Sequence, residues 1–138
     1  MIPEIPDNIL ILFVEDNAER IEKFKKMILS PLNTKTVYAR SGGAALTVIN
    51  KDVYDFIFLD YDLGYDATLQ RSVTGLDVAK KLSQTRNRNA TVIVHTMNLV
   101  AGAEMVAFLK ANNVRCLQIP YEEINSKKIY DLIFSEWE

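Results

Sequence analysis

Phe56-Ile57-Phe58-Leu59-Asp60-Tyr61-Asp62-Leu63-Gly64 sets four consecutive apolar residues directly against two carboxylates and a glycine. A run that apolar predicts a strand buried on both faces, as in a parallel sheet. Carboxylates just past its end then stand where open parallel sheets bind ligands, outside the carboxyl ends of the strands. Asp60 and Asp62 are therefore the centre of a candidate site.

Upstream, the same design occurs once more. Residues 1–8 carry Pro3 and Pro6 and are expected to be an extended leader to a single domain over 9–138. Ile9-Leu10-Ile11-Leu12-Phe13-Val14 is a second buried run that ends in acid, at Glu15 and Asp16. Asn17 or Asp16 caps the helix that follows, with Ile21, Phe24 and Ile28 inward, Lys23, Lys25 and Lys26 in water, and Ser30-Pro31 as its stop. A short strand over 34–39 comes next. Ser41-Gly42-Gly43 then opens a helix with Ala44, Ala45, Val48 and Ile49 on its inner side.

Downstream, residues 60–74 form a loop long enough for a compact domain to be functional or mobile. Gly75 starts a helix with Val78, Ala79 and Leu82 inward, and polar residues 83–89 lead to a buried strand over 91–95 that Thr96, Met97 and Asn98 close. A helix over about 100–112 places Met105, Val106 and Leu109 on one face. A strand over 116–119 stops at Pro120, and a last helix over about 125–136 turns Ile129, Leu132 and Ile133 inward. Five strands alternating with five helices predict an α/β three-layer sandwich with one parallel five-stranded sheet. The flavodoxin-like order 2-1-3-4-5 gathers Glu15, Asp16, Asp60, Asp62 and Thr96 at one edge.

The 138 residues suit one domain, and their 49% hydrophobic and 25% charged content is that of an ordinary globular chain. A net charge of -2 supplies no basic field for nucleic acid. The single cysteine, Cys116, excludes an intramolecular disulfide and a cysteine-rich zinc site, which fits a reducing, cytoplasmic setting. The apolar run at 9–14 is too short to span a membrane.

Carboxylates crowded at one edge repel each other, and a raised pKa or a hard cation relieves the repulsion. Mg²⁺ suits such oxygen donors and bridges to phosphate oxygens. The bland alternative is that Glu15 and Asp16 only cap the first helix and favour its dipole. Acids after two separate buried strands, with Thr96 after another, favour the metal.

The acidic pair Glu15-Asp16, then Asp60, Thr96 and Pro120, each after a successive central or edge strand, resemble a response-regulator receiver domain over nearly the whole chain. That resemblance implies a receiver-type, CheY-like fold, Mg²⁺ held by Glu15, Asp16 and Asp60, phosphorylation of Asp60 by a phosphodonor, and Thr96 on the phosphoryl group. Two positions depart from it. Receivers carry lysine directly before the proline, where this chain has Ile119, and an aromatic switch residue where it has Cys116.

A narrower resemblance is to the cyclic-phosphate processing receiver domains. It rests on Asp60-x-Asp62-Leu63-Gly64, Thr74-Gly75-Leu76-Asp77-Val78-Ala79, Val92-Ile93-Val94-His95-Thr96-Met97-Asn98 and Gly102-Ala103-Glu104-Met105. That family has histidine where this chain has Tyr61 and often proline where it has Leu99. The resemblance implies a small phosphate ester as substrate, with Asp60 as nucleophile or ligand, Asp62 as acid/base, and Thr96 with His95 on phosphate oxygens. Phosphorelay signalling through Asp60, or a non-catalytic module that binds a protein partner, are the alternatives. As strand neighbours, His95 and Thr96 should face opposite ways unless the strand has already ended. Asn98 is equally a helix cap, Tyr61, Tyr65 and Arg71 are candidates for covering a ligand, and Lys80, Lys81, Arg86 and Arg88 read as solvated surface.

Overall fold

In the computed structural model, which describes residues 9–28 and 34–137, the sheet is built from the apolar runs. Strands β1 (Ile9–Val14), β2 (Thr34–Ala39) and β3 (Phe56–Leu59) pair in parallel, with β1 between the other two. The loop after β3 carries a two-stranded antiparallel hairpin of its own, β4 (Tyr65–Asp66) and β5 (Arg71–Ser72). Strands β6 (Thr91–Val94) and β7 (Cys116–Gln118) then complete the main sheet in the order β2-β1-β3-β6-β7. With the hairpin set aside this is the expected flavodoxin-like, receiver-type order, all parallel.

Five helices cover the sheet: α1 (Ala18–Met27), α2 (Gly42–Lys51), α3 (Gly75–Leu82), α4 (Leu99–Ala111) and α5 (Ser126–Trp137). Period-two alternation along the buried strands sorts their side chains into two cores. Ile11, Phe13, Phe56, Phe58 and Ile93 pack with Ile21 and Phe24 of α1 and Ile129 and Ile133 of α5. Leu12, Val14, Ile57, Leu59, Val92 and Val94 pack on the other face with α2, α3 and α4. Phe24 stacks on Phe13 with ring centroids 4.0 Å apart, which fixes α1 over the centre of the sheet.

Local chemistry sets the helix starts. Asn17 accepts the Arg20 N–H, Ser41 accepts the Ala44 N–H, and Thr74 with Asp77 forms a capping box. Asn98 accepts the Ala101 N–H, so its capping role is observed and α4 begins at Leu99. One inward assignment is corrected: Ala44 is exposed, because with the helix starting at Gly42 the face toward the sheet is Gly42, Ala45 and Ile49. The leader at 1–8 and the Ser30-Pro31 stop lie outside the described residues.

The long loop is anchored at both ends and in the middle. The Gly75 N–H donates to the Tyr61 carbonyl at 2.8 Å, closing the loop at its neck. A Cβ on Gly75 would run into the Asp60 carbonyl, so only glycine lets α3 start this close to the site. Leu63 and Val73 are buried, and the Asp66 carboxylate accepts the Leu69 N–H at 2.9 Å and the Gly43 N–H at 2.8 Å. Those bonds hold its carboxyl below the usual carboxylate range, that from Leu69 most strongly. Behind the sheet, fully buried Asn87 accepts the Tyr54 N–H and donates to the Ile49 and Asp52 carbonyls, each at 2.8 Å. No helix among the described residues is long and apolar enough to cross a membrane.

Candidate metal and phosphate site

The alternation that builds the two cores also decides which polar side chains meet. Val14, Leu59 and Val94 face α2–α4, so the next residue of each strand, Glu15, Asp60 and His95, falls on the α1 and α5 side. Glu15, Asp16 and Asp60 each bring a carboxylate oxygen to within 4.8 Å of the others. Three hard oxygen donors at that spacing, one exposed and two buried, suit Mg²⁺, which keeps part of its water shell and takes few protein carboxylates.

Burial and mutual repulsion dominate the electrostatics. Glu15 is fully buried, and desolvation followed by the charge of Asp60 pushes its carboxyl up from 4.5 to about 8. Desolvation raises Asp60 as well, against bonds from the Thr96 side chain and the Tyr61 N–H, the latter at 2.8 Å. Without a cation Glu15 keeps its proton at neutral pH, and a bound divalent ion would displace it.

Thr96 is buried, its side chain acts on the Asp60 carboxyl, and its Oγ1 accepts the Asn98 N–H at 3.1 Å. His95 faces away from it, because the ladder runs one residue past Val94, the His95 N–H donating to the Leu59 carbonyl at 3.1 Å, so the alternation of the strand continues. Its ring lies flat on Phe13, centroids 5.0 Å apart and 1° between planes, with Nδ1 3.9 Å from Glu15 Oε1 and neither nitrogen hydrogen-bonded. Desolvation lowers its pKa from 6.5 to about 4, so the imidazole is neutral at pH 7. Asp62 is exposed and is not one of the clustered carboxylates. Tyr61 packs against the core, Tyr65 is exposed, and exposed Arg71 pairs with Asp77 at 3.9 Å.

Sequence reasoning missed Arg20. From the first turn of α1 its guanidinium reaches Glu15 Oε1 at 3.4 Å and Asp60 Oδ2 at 4.0 Å, and lies over the Tyr121 ring at 5.6 Å. A signal was present: a cation in a helix's first turn opposes the macrodipole, and a local rule broken without local gain marks a site. Ile119, at the position of the receivers' lysine, is buried in the apolar core.

The fold has many solved counterparts. The chain is similar to a CheY-like receiver domain from Methylobacillus flagellatus, with a TM-score of 0.71 and 19% identity over 94% of this chain and 98% of that one. It is similar to the receiver domain of a Pseudomonas aeruginosa sensor histidine kinase, solved with a magnesium ion coordinated in its active site cleft. There the TM-score is 0.70 and the identity 18%, over 94% and 97% of the two chains. A Thermotoga maritima response regulator in complex with Mg²⁺ and BeF matches with a TM-score of 0.67 and 18% identity, over 91% and 96%. At these identities the likeness shows the fold alone. No curated protein matches the sequence. The family model described as cyclic-phosphate processing receiver domain matches residues 10–111, and the chain belongs to that family.

Proposed function

We propose that this domain binds Mg²⁺ through Glu15, Asp16 and Asp60 and uses Asp60 to handle a phosphoryl group, with a small cyclic phosphate ester as its substrate. The observation that carries the reading is the three-carboxylate cluster on the strand ends. The bound cation would neutralise charge on the phosphoryl oxygens. An Asp60 oxygen attacks phosphorus, one endocyclic P–O bond breaks, and the leaving oxygen takes a proton from Asp62. Water then cleaves the acyl phosphate, restoring the Asp60 carboxylate, returning a proton to Asp62 and releasing a phosphate monoester. Thr96 keeps Asp60 oriented through its hydroxyl. Flat on Phe13, His95 forms a neutral wall under Glu15.

Calorimetric Mg²⁺ titration of the wild type and of Asp60→Asn tests the metal half, and turnover of a panel of cyclic phosphate esters tests the chemistry. Binding that is lost in Asp60→Asn, with Asp60-dependent ring opening, is expected. Equal Mg²⁺ affinity in the two proteins would favour a non-catalytic module that binds a protein partner. The burial of Thr96 next to Asp60, where its side chain helps hold the carboxyl down, favours one second reading, a signalling receiver phosphorylated on Asp60. It predicts an Asp60-dependent mass gain of one phosphoryl group from a small phosphodonor and Mg²⁺, without ester turnover.

A further inference from the structure

Ile119 leaves the phosphate site without the ammonium that a lysine there would supply, and the molecule brings a cation in from another element. The Arg20 guanidinium pairs with both Glu15 and Asp60, at 3.4 and 4.0 Å. The Glu15 contact is a long hydrogen bond and the Asp60 contact an ion pair, both beyond the roughly 2.7–2.9 Å of a short charge-assisted bond. The Arg20 backbone is fixed, because the Tyr121 hydroxyl donates to the Arg20 carbonyl at 3.0 Å while the Tyr121 ring lies beneath the guanidinium. The side chain is 29% exposed and lines a cavity of about 460 Å³ with Asn17, Glu19, Lys23, Met97, Tyr121 and Glu122 among its walls. Arg20 thus stands between the carboxylates and a cavity open to solvent, with donors to spare.

From this placement we infer that Arg20 is the phosphate-contacting cation of the site: it turns its guanidinium from Glu15 and Asp60 to the oxygens of a phosphoryl group that enters beside Asp60, and the ester's organic part occupies the adjoining cavity. Guanidinium suits the task because it stays charged and offers planar, paired donors to phosphate. A cation held by Glu15, Asp16 and Asp60 would compete with Arg20 for the Glu15 and Asp60 carboxylates while the site is free of anion. The inference rests on the proposed phosphate-handling role of Asp60.

Orthovanadate with Mg²⁺ serves as the probe, and its affinity is measured for the wild type, Arg20→Ala, Arg20→Lys and Asp60→Asn, alongside Mg²⁺ affinity without anion and thermal melting. Arg20→Ala should weaken vanadate binding ~10–100-fold, the worth of a lost charged hydrogen bond, and Arg20→Lys should restore part of it. Mg²⁺ affinity without anion should hold or rise in Arg20→Ala, a result that mere loss of folding would reverse. Vanadate bound equally well by wild type and Arg20→Ala overturns the role of Arg20 alone. If the wild type binds no vanadate in Mg²⁺, both this inference and the phosphate-handling reading of Asp60 fail.

Discussion

Raising the pH without divalent cations should weaken this domain, and Glu15 sets the amount. Its carboxyl is pushed up from 4.5 to about 8 by burial and by Asp60. In the unfolded chain it ionises near 4.5, so above that pH the folded chain keeps a proton that the unfolded chain has released. The contribution to stability is full below 4.5 and is lost as pH rises through about 8. His95 works in the opposite sense: lowered from 6.5 to about 4, it contributes fully above 6.5 and loses that contribution as pH falls. The two slopes oppose each other between 4.5 and 6.5, which leaves Glu15 dominant from 6.5 to 8. One group changes stability by at most about 1.4 kcal/mol per pH unit, so the loss across that window is about 2 kcal/mol. Urea unfolding followed by far-ultraviolet circular dichroism, in chelator, at several pH values across the window measures it. Glu15→Gln keeps the size and removes the ionisation, so its stability should be nearly flat. Saturating Mg²⁺ should flatten or reverse the wild-type slope, because the ligand form is the ionised one. A wild type as flat as Glu15→Gln, or a variant that falls as steeply, would refute the reasoning.

Two further substitutions probe the frame around the site. Asn87→Ala strips one buried donor and two acceptors of their partners and should cost about 2–4 kcal/mol by denaturant unfolding; a loss under about 1 kcal/mol would mean that water replaces the side chain. Gly75→Ala drives a Cβ against the Asp60 carbonyl and toward the Met105 terminal methyl, and should destabilise by about 1–3 kcal/mol. Because that backbone carries the Asp60 side chain, Mg²⁺ affinity should fall as well, and unchanged affinity would show that α3 yields instead of the site.

The sheet was legible because buried parallel strands are continuous apolar runs, and 9–14, 56–59 and 91–94 could hardly be anything else. The acids were legible for the same reason, since a carboxylate following such a run has nowhere to go but the strand end. Alternation carried one residue past Val94 assigns His95 to the Phe13 face. The hairpin was not legible, because two-residue strands carry no period and Asp66 looks like any loop aspartate until Gly43 and Leu69 are seen to donate to it. Asn87 hid in a polar stretch that read only as a connection to the next strand. Arg20 looked like one more helix-surface cation, and only the position of α1 over the sheet brings it to the acids of two strands.

The hydrogen bond from the Gly75 N–H to the Tyr61 carbonyl has a consequence for how this scaffold can vary. Chain leaves the strand end and returns to it at a single pinch, so residues 62–74 form a closed excursion whose length does not enter the register of Asp60. Loop closure penalises added residues only slowly, by roughly 0.6 kcal/mol per doubling. The excursion is therefore a natural cassette: its tip, between Asp66 and Arg71, can be lengthened, exchanged or fitted with new recognition chemistry while the carboxylates below stay where the sheet puts them.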